Sequence, residues 1–230
     1  MLKAQHPGYE LFKEGTHGKR GIACADCHMP YKVEGGIKFS DHHVRSPLEN
    51  VQNACQQCHR MDADKLLSEA ASFKTKVLEL KRLAEEELVA AHFEAKKAWE
   101  VGASEQQMAE PLLLIRHAQW RWDFATAAHG SYFHAPEEAL RILGTAVQKA
   151  SAARLALVRL LHDKGYRQPV TIPSLQTKAL AQKVVGLDAA GMQRDKDQFL
   201  GDLARKWWAE SPVRDDKMMD LVTKGTALSP

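Results

Sequence analysis

Cys24-Ala25-Asp26-Cys27-His28 and Cys55-Gln56-Gln57-Cys58-His59 share the pattern C-x-x-C-H, and together they hold all four cysteines of the chain. Two thiols at this spacing reach the two vinyl groups of one haem. The histidine beside the second thiol is then held against one face of the iron. C-x-x-C pairs also bind zinc, and two of them make a four-thiolate site. Here 27 residues separate Cys27 from Cys55, longer than the gap of about 15–20 in a zinc ribbon. Zinc also gives no reason for a histidine after both pairs. A thioredoxin-like motif belongs in a βαβ pattern, and none is visible. Short-loop disulfides explain neither histidine. Covalent haem therefore ranks first, zinc second and disulfides third.

The haem reading decides how the surrounding chain is understood. Residues 1–60 hold six of the fourteen glycines and six of the eleven histidines. They show neither a sustained 3.6-residue period nor a strand alternation. A segment of this kind folds around cofactor, whose macrocycles supply the missing apolar mass. Residues 61–100 read as one long helix, capped by Asp62 or Asp64 and ended by Gly102. Leu66, Ala70, Phe73, Val77, Leu80, Ala84, Leu88, Ala91, Ala95 and Ala98 form a heptad seam with one stutter. Glu85, Glu86, Glu87, Lys96 and Lys97 read mostly as its solvated face.

A second helix is expected from about Pro111 to Ala128, before Gly130. A third runs from Pro136, with Glu137 and Glu138 in its first turn, to a cap at Gly165. Its seam passes through Leu140, Leu143, Val147, Ala150, Leu157 and Leu161. Residues 166–173 read as an extended linker, followed by helices at about 175–185 and 189–209 and a tail. The chain is thus all-α: a loop-rich haem-binding segment (1–60), a long-helix bundle suited to dimerisation (61–165), and short C-terminal helices with a tail (166–230). The thin, alanine-rich seams suit helix-to-helix packing, within one chain or between subunits.

The net charge of +3 gives no field strong enough to suggest nucleic acid. No uncharged apolar run approaches the roughly 20 residues of a membrane span. Met1-Leu2-Lys3-Ala4-Gln5-His6 lacks the apolar core of a signal peptide. Haem c is attached outside the bacterial cytoplasm, so the expectation is a periplasmic protein whose signal peptide lies upstream.

An electron-transfer haem takes a second axial ligand, so distal histidines are expected. His92 and His162 lie within helices, where packing or surface roles are favoured. His117 shares a helix face with Trp120 and Phe124, which suits an aromatic core or a haem wall. His17 sits in a glycine-flanked loop before Cys24, His42 and His43 between the two strings, and His129 and His134 around a helix–helix turn. Loop histidines near a cofactor are the better candidates, with His6 also open.

Several stretches then fall into a recognisable order. They are Leu2-Lys3-Ala4-Gln5 before His6-Pro7, His17-Gly18-Lys19, Cys24 to Pro30, Asp41-His42 and Cys55 to His59. Ala91-His92-Phe93-Glu94-Ala95-Lys96, Arg116-His117-Ala118-Gln119-Trp120-Arg121-Trp122-Asp123 and His134-Ala135-Pro136-Glu137-Glu138 follow. This set resembles the C-terminal half of the ammonia-forming cytochrome c nitrite reductases, a periplasmic, pentahaem, homodimeric family that reduces nitrite to ammonium with six electrons. The resemblance implies that Cys24, Cys27 and His28 hold the fourth haem, with His134 distal. Cys55, Cys58 and His59 would hold the fifth, with His17 distal. His42 matches the distal ligand of the second haem, with the adjacent His43 as its rival. His6 matches the active-site histidine beside nitrite. Lys3, through its carbonyl, and Gln5, through its side-chain oxygen, match ligands of a calcium ion.

The chain departs from the family pattern in lacking C-x-x-C-K, the string that holds the catalytic haem, and the other two haem strings. It also lacks the catalytic arginine and tyrosine. The expectation is a C-terminal portion of such an enzyme, inactive alone. Its implied partners are the missing N-terminal haem region, a second copy, and a quinol-linked or cytochrome c electron donor. A self-contained dihaem electron carrier is the alternative, and a helical zinc module stands third.

Overall fold

The computed structural model describes residues 6–223. Two compact units divide the chain, one ending at Ile172 and the other starting at Pro173. Most of the first unit is three helices: α5 (Ala63–Glu100), α6 (Glu105–Ala127) and α8 (Pro136–Asp163). The short elements preceding α5 are helices α1 (Gly8–Glu14), α2 (Thr16–Lys19), α3 (Cys24–His28) and α4 (Val51–Ala54), with strands β1 (Tyr31–Glu34) and β2 (Ile37–Ser40). A 3-10 turn spans Pro47–Glu49, and α7 (Ser131–His134) joins α6 to α8. Among the described residues the protein is all-α apart from this one two-stranded ladder.

The α5 seam forms as its spacing requires, but its two ends do different things. Ala84, Leu88, Ala91, Ala95 and Ala98 are buried against α6 and α8. At the other end Leu66, Ala70 and Phe73 line a cavity, and Phe73 is still 39% exposed. Asp62 takes the N-cap position, though its side chain makes no capping bond. Gly102, at φ 82°, ends the helix in a Schellman motif: Gly102 N–H donates to Trp99 O and Ala103 N–H to Ala98 O. Only glycine takes this left-handed turn without strain. Gly165 closes α8 in the same way.

Glu87 is not on a solvated face. Arg154 of α8 donates from Nη1 to Glu87 Oε1 at 2.9 Å and from Nη2 to Glu94 Oε1 at 3.0 Å, and Ser151 Oγ donates to Glu87 Oε2. Glu94 is buried, and this one guanidinium supplies its charge partner. Hydrogen bonding to Glu94 holds the Arg154 pKa above its ordinary value, with Glu87 adding to the same effect.

Helix α6 starts six residues before Pro111. Ser104 and Gln107 form a capping box, with Gln107 N–H donating to Ser104 Oγ and Ser104 N–H to Gln107 Oε1. An internal proline costs about 3 kcal/mol against alanine. Here the box, and the burial of Met108, Pro111 and Ile115 on one face, hold the added turns together.

The hairpin is a further departure from expectation. Gly35 and Gly36 have φ of 57° and 80°, the geometry of a two-residue turn whose twist matches that of paired strands. Tyr31 pairs with Ser40 and Glu34 with Ile37. Asp41 N–H then donates to Pro30 O at 2.9 Å, so the chain returns to where it left. The ladder is an excursion that brings residues 41–46 back beside α3.

In the second unit, α9 (Lys178–Val184) and α10 (Ala189–Phe199) are followed by a π-helical turn, Leu200–Ala204, and by α11 (Arg205–Thr223). The expected tail after about residue 209 is therefore helical to Thr223. Pro212 lies inside α11, where its fixed φ suits the helix and one backbone bond is forgone. Among the described residues no helix is long and apolar enough to cross a membrane.

Candidate haem-binding site

Both C-x-x-C-H strings form short helical turns. Cys24–His28 is α3, entered through Asp26 Oδ2 accepting from Ala23 N–H at 2.8 Å. Cys55 follows α4, and His59 N–H donates to Cys55 O at 2.9 Å. A helical turn puts both thiols and the histidine of a string on one side. All four thiols are free. Burial, then the nearby Cys55, Asp26, Cys58 and Cys24, push the Cys27 thiol up from its ordinary pKa. Burial also raises that of Cys55. The two strings are thus electrostatic neighbours. Among the described residues, no three His, Cys, Asp or Glu side chains gather into a metal cluster.

The histidines pair across the site. The His17 and His59 rings have centroids 6.1 Å apart at 77°. Those of His28 and His134 are 6.3 Å apart at 72°. An imidazole bound at about 2.0–2.1 Å places its centroid about 3.1–3.2 Å from a metal, so two on opposite faces lie about 6.2–6.4 Å apart. The His28–His134 separation falls within that span and the His17–His59 separation lies just below it. A cavity of about 700 Å³ adjoins the strings, lined by Cys27, Cys55, Cys58, His17, His59 and His134 and by apolar Met29, Leu48 and Phe133.

Further contacts tune the rings. His28 Nδ1 lies 2.9 Å from the Arg45 carbonyl. A carbonyl only accepts, so Nδ1 carries the proton and Nε2 is left to bind metal. The pKa of His17 is lowered by burial first, then by His59 and Arg20. That of His134 is lowered by burial, then by His28 and His17. Both shifts favour the neutral ring, the form in which an imidazole binds metal. His134 Nδ1 is buried without a hydrogen-bond partner. The residues present fit covalent haem at both strings.

Tight backbone packing places the His17 and His134 rings. A Cβ on Gly15 would lie 1.7 Å from His134 O, and one on Gly18 would lie 2.0 Å from Phe12 O. The α1–α2 corner therefore presses directly on α7. The sequence reading missed these glycines, Arg45, and Phe12 and Phe133 beside the rings. The flanking of His17 by Gly15 and Gly18 was the one available signal.

The other singled-out residues lie elsewhere. His42 is exposed in the returned loop. His43 Nδ1 meets Asp41 Oδ1 at 2.8 Å, and Lys32 Nζ meets Asp41 Oδ2 at 2.6 Å. Lys32 foremost, with His43, holds the buried Asp41 carboxyl well below the usual carboxylate range. His6 is exposed with φ of 51°, the one non-glycine residue with positive φ among those described. His92, His117, His129 and His162 are exposed. Lys3 and Gln5 lie outside the described residues.

Comparison with known proteins agrees with this geometry. The family model for cytochrome c552 matches residues 1–215. A cytochrome c-552 of Bacteroides fragilis is 50% identical over 207 residues, covering 90% of this chain and 42% of that protein. A cytochrome c-552 of Parabacteroides distasonis is 48% identical over 211 residues, covering 92% and 43%. The chain thus spans about two fifths of the length of the curated relatives it matches. Among solved structures, the cytochrome c nitrite reductase of Desulfovibrio desulfuricans, described for two calcium sites in its catalytic subunit, superposes with a TM-score of 0.53 at 31% identity. That match covers 75% of this chain and 39% of that one. Haem strings, opposed histidines and the match over nearly the whole chain agree: the protein belongs to the cytochrome c552 family.

Proposed function

We propose that this chain is the electron-relaying C-terminal portion of a periplasmic, homodimeric nitrite reductase that forms ammonium with six electrons. The observation that carries the reading is the pair of opposed imidazole couples, 6.1 and 6.3 Å apart, beside two C-x-x-C strings. Haem c would supply one-electron carriers when bound there, its potential set by axial ligands, hydrogen bonds and burial. Cys24 and Cys27 would anchor one group and Cys55 and Cys58 the other. His28 and His134 would hold the iron of the first group, and His59 and His17 that of the second. With two histidines on each iron, neither site would offer substrate a position. These two sites pass electrons; reduction happens elsewhere.

In this reading His6 stands nearest the chemistry. Its imidazole would hold the nitrite anion and deliver protons as N–O bonds break. A left-handed backbone on a non-glycine residue is the sort of strain that collects at functional sites, which supports the assignment. Lys3 and Gln5 would ligate calcium through oxygen. His42 would reach the iron of a haem held by polypeptide outside this chain. The Asp41 carboxylate on His43 keeps that neighbour in contention, because ligating histidines are commonly held this way. The span of about two fifths of its relatives supports a role as one portion of a larger enzyme.

Nitrite reduction with a reduced viologen tests the reading. The full-length enzyme should turn over nitrite to ammonium, and this chain, loaded with haem, should not. Six-electron turnover by the isolated chain would overturn the division of labour.

A further inference from the structure

The proximal ring of His28 is oriented by a hydrogen bond to Arg45 O, but the distal rings have no such hold. His134 Nδ1 is buried and unpartnered. Among the described residues no hydrogen bond reaches the ring of His17. An imidazole turns freely over a broad range about its last side-chain bond, so something else must set its plane. Among the described residues, the aromatic partners of these rings beyond the opposing histidines are two phenylalanines, and they are crossed. Phe133 stacks on His17, centroids 5.9 Å apart at 16°. Phe12 meets His134 edge to face, 5.7 Å apart at 84°. Both geometries are favoured for aromatic pairs.

The crossing follows from the chain. Phe12 and His17 lie on the α1–α2 corner; Phe133 and His134 lie together on α7. Each segment contributes one distal histidine and the phenylalanine that packs on the other's histidine. The contact at Gly15 leaves the two segments no room to slide. Gly130 completes the seat, since a Cβ there would lie 2.7 Å from the His134 ring. His134 is thus wedged between a bare backbone and the edge contact of Phe12.

We infer that Phe12 and Phe133 are positioning residues of a reciprocal clasp: Phe133 sets the ring of His17, and Phe12 sets the ring of His134. The inference rests on the reading of His17 and His134 as distal ligands. Its consequence is that each haem site depends on the segment that ligates the other. A disturbance at α7 reaches the His59 site through Phe133, although α7 ligates the His28 site.

Electron paramagnetic resonance of the oxidised, haem-loaded protein tests this, because the low-spin signal reports the planes of the axial rings. His17→Met and His134→Met first assign the two signals, each removing one. Phe133→Leu should shift or broaden mainly the signal that His17→Met removes. Phe12→Leu should disturb mainly the one that His134→Met removes. Phe133→Tyr, which keeps the stack, should restore the wild-type spectrum. Larger changes on each phenylalanine's sequence neighbour, or none in either Leu variant, would overturn the clasp while leaving the ligands assigned. Should Phe133→Leu fail to load haem, Phe12→Leu decides alone. Two distal-ligand variants that each leave both signals intact would overturn the ligand assignment, and the clasp with it.

Discussion

The rings of His17 and His59 meet with their planes 77° apart, and those of His28 and His134 at 72°. An axial imidazole raises whichever iron dπ orbital its own π system overlaps. Parallel rings split the dπ pair, whereas crossed rings leave it nearly degenerate, with orbital angular momentum unquenched. Both haems should therefore give the broad, large-gmax type of low-spin signal. Replacing His17 with Ala should convert one haem of the two to high spin and leave the other low-spin, as read from the same spectrum.

The two kinds of glycine predict opposite outcomes. Gly15→Ala places a methyl group 1.7 Å from the His134 carbonyl. The segments must part, costing at least the roughly 1–3 kcal/mol of an overpacked core. The distal ring should loosen with them. Gly144 in α8 has nothing within 4 Å of its would-be Cβ, and Gly144→Ala should stabilise by up to about 1 kcal/mol. Urea unfolding of the haem-loaded protein reads both.

Arg154 bridges two helices through Glu87 and Glu94. Arg154→Leu strands the buried Glu94 carboxylate and should cost about 1.5–3 kcal/mol, the range for a hydrogen bond to a charged group. Adding Glu94→Leu should recover much of the loss, because the uncompensated charge goes with it. Denaturation midpoints of the single and double variants separate pairing from packing.

Acid should release the distal ligands. Burial, the first cause in both cases, lowers the His17 and His134 pKa values from 6.5. The unfolded chain therefore binds more protons than the folded one between the lowered value and 6.5, and stability rises with pH there. The neutral form is fully present above 6.5, and its contribution is lost as pH falls through the folded values. Conversion from the low-spin to the high-spin Soret band should begin only below pH 6.5. A midpoint above that value would contradict the burial argument.

His6→Ala in the full-length enzyme should lower nitrite turnover with haem content unchanged. An unchanged rate would remove His6 from the chemistry.

The long helices were legible because their signals are local. Alanine and leucine at alternating three- and four-residue spacing define α5, and Pro136 and Gly165 bracket α8. The start of α6 was misplaced because Pro111 is a louder signal than the Ser104–Gln107 box before it. The hairpin was overlooked because Glu34-Gly35-Gly36-Ile37 sits among exposed residues with no buried face to show alternation. Glu87 looked solvated because its partner lies 67 residues away. At the site, the strings name their own chemistry, whereas the pairing of His17 with His59 and His28 with His134 was implied only by family resemblance. The phenylalanine contacts join residues more than a hundred positions apart, and no spacing rule reaches that far.

The central claim is that this chain carries two haems, each closed on both faces by histidine. Haem content by pyridine haemochrome, joined to the spin state of the oxidised protein from a host that attaches haem c, tests it most directly. The account predicts two haems per chain, both low-spin. A colourless protein, or a stoichiometric high-spin haem at neutral pH, would contradict it.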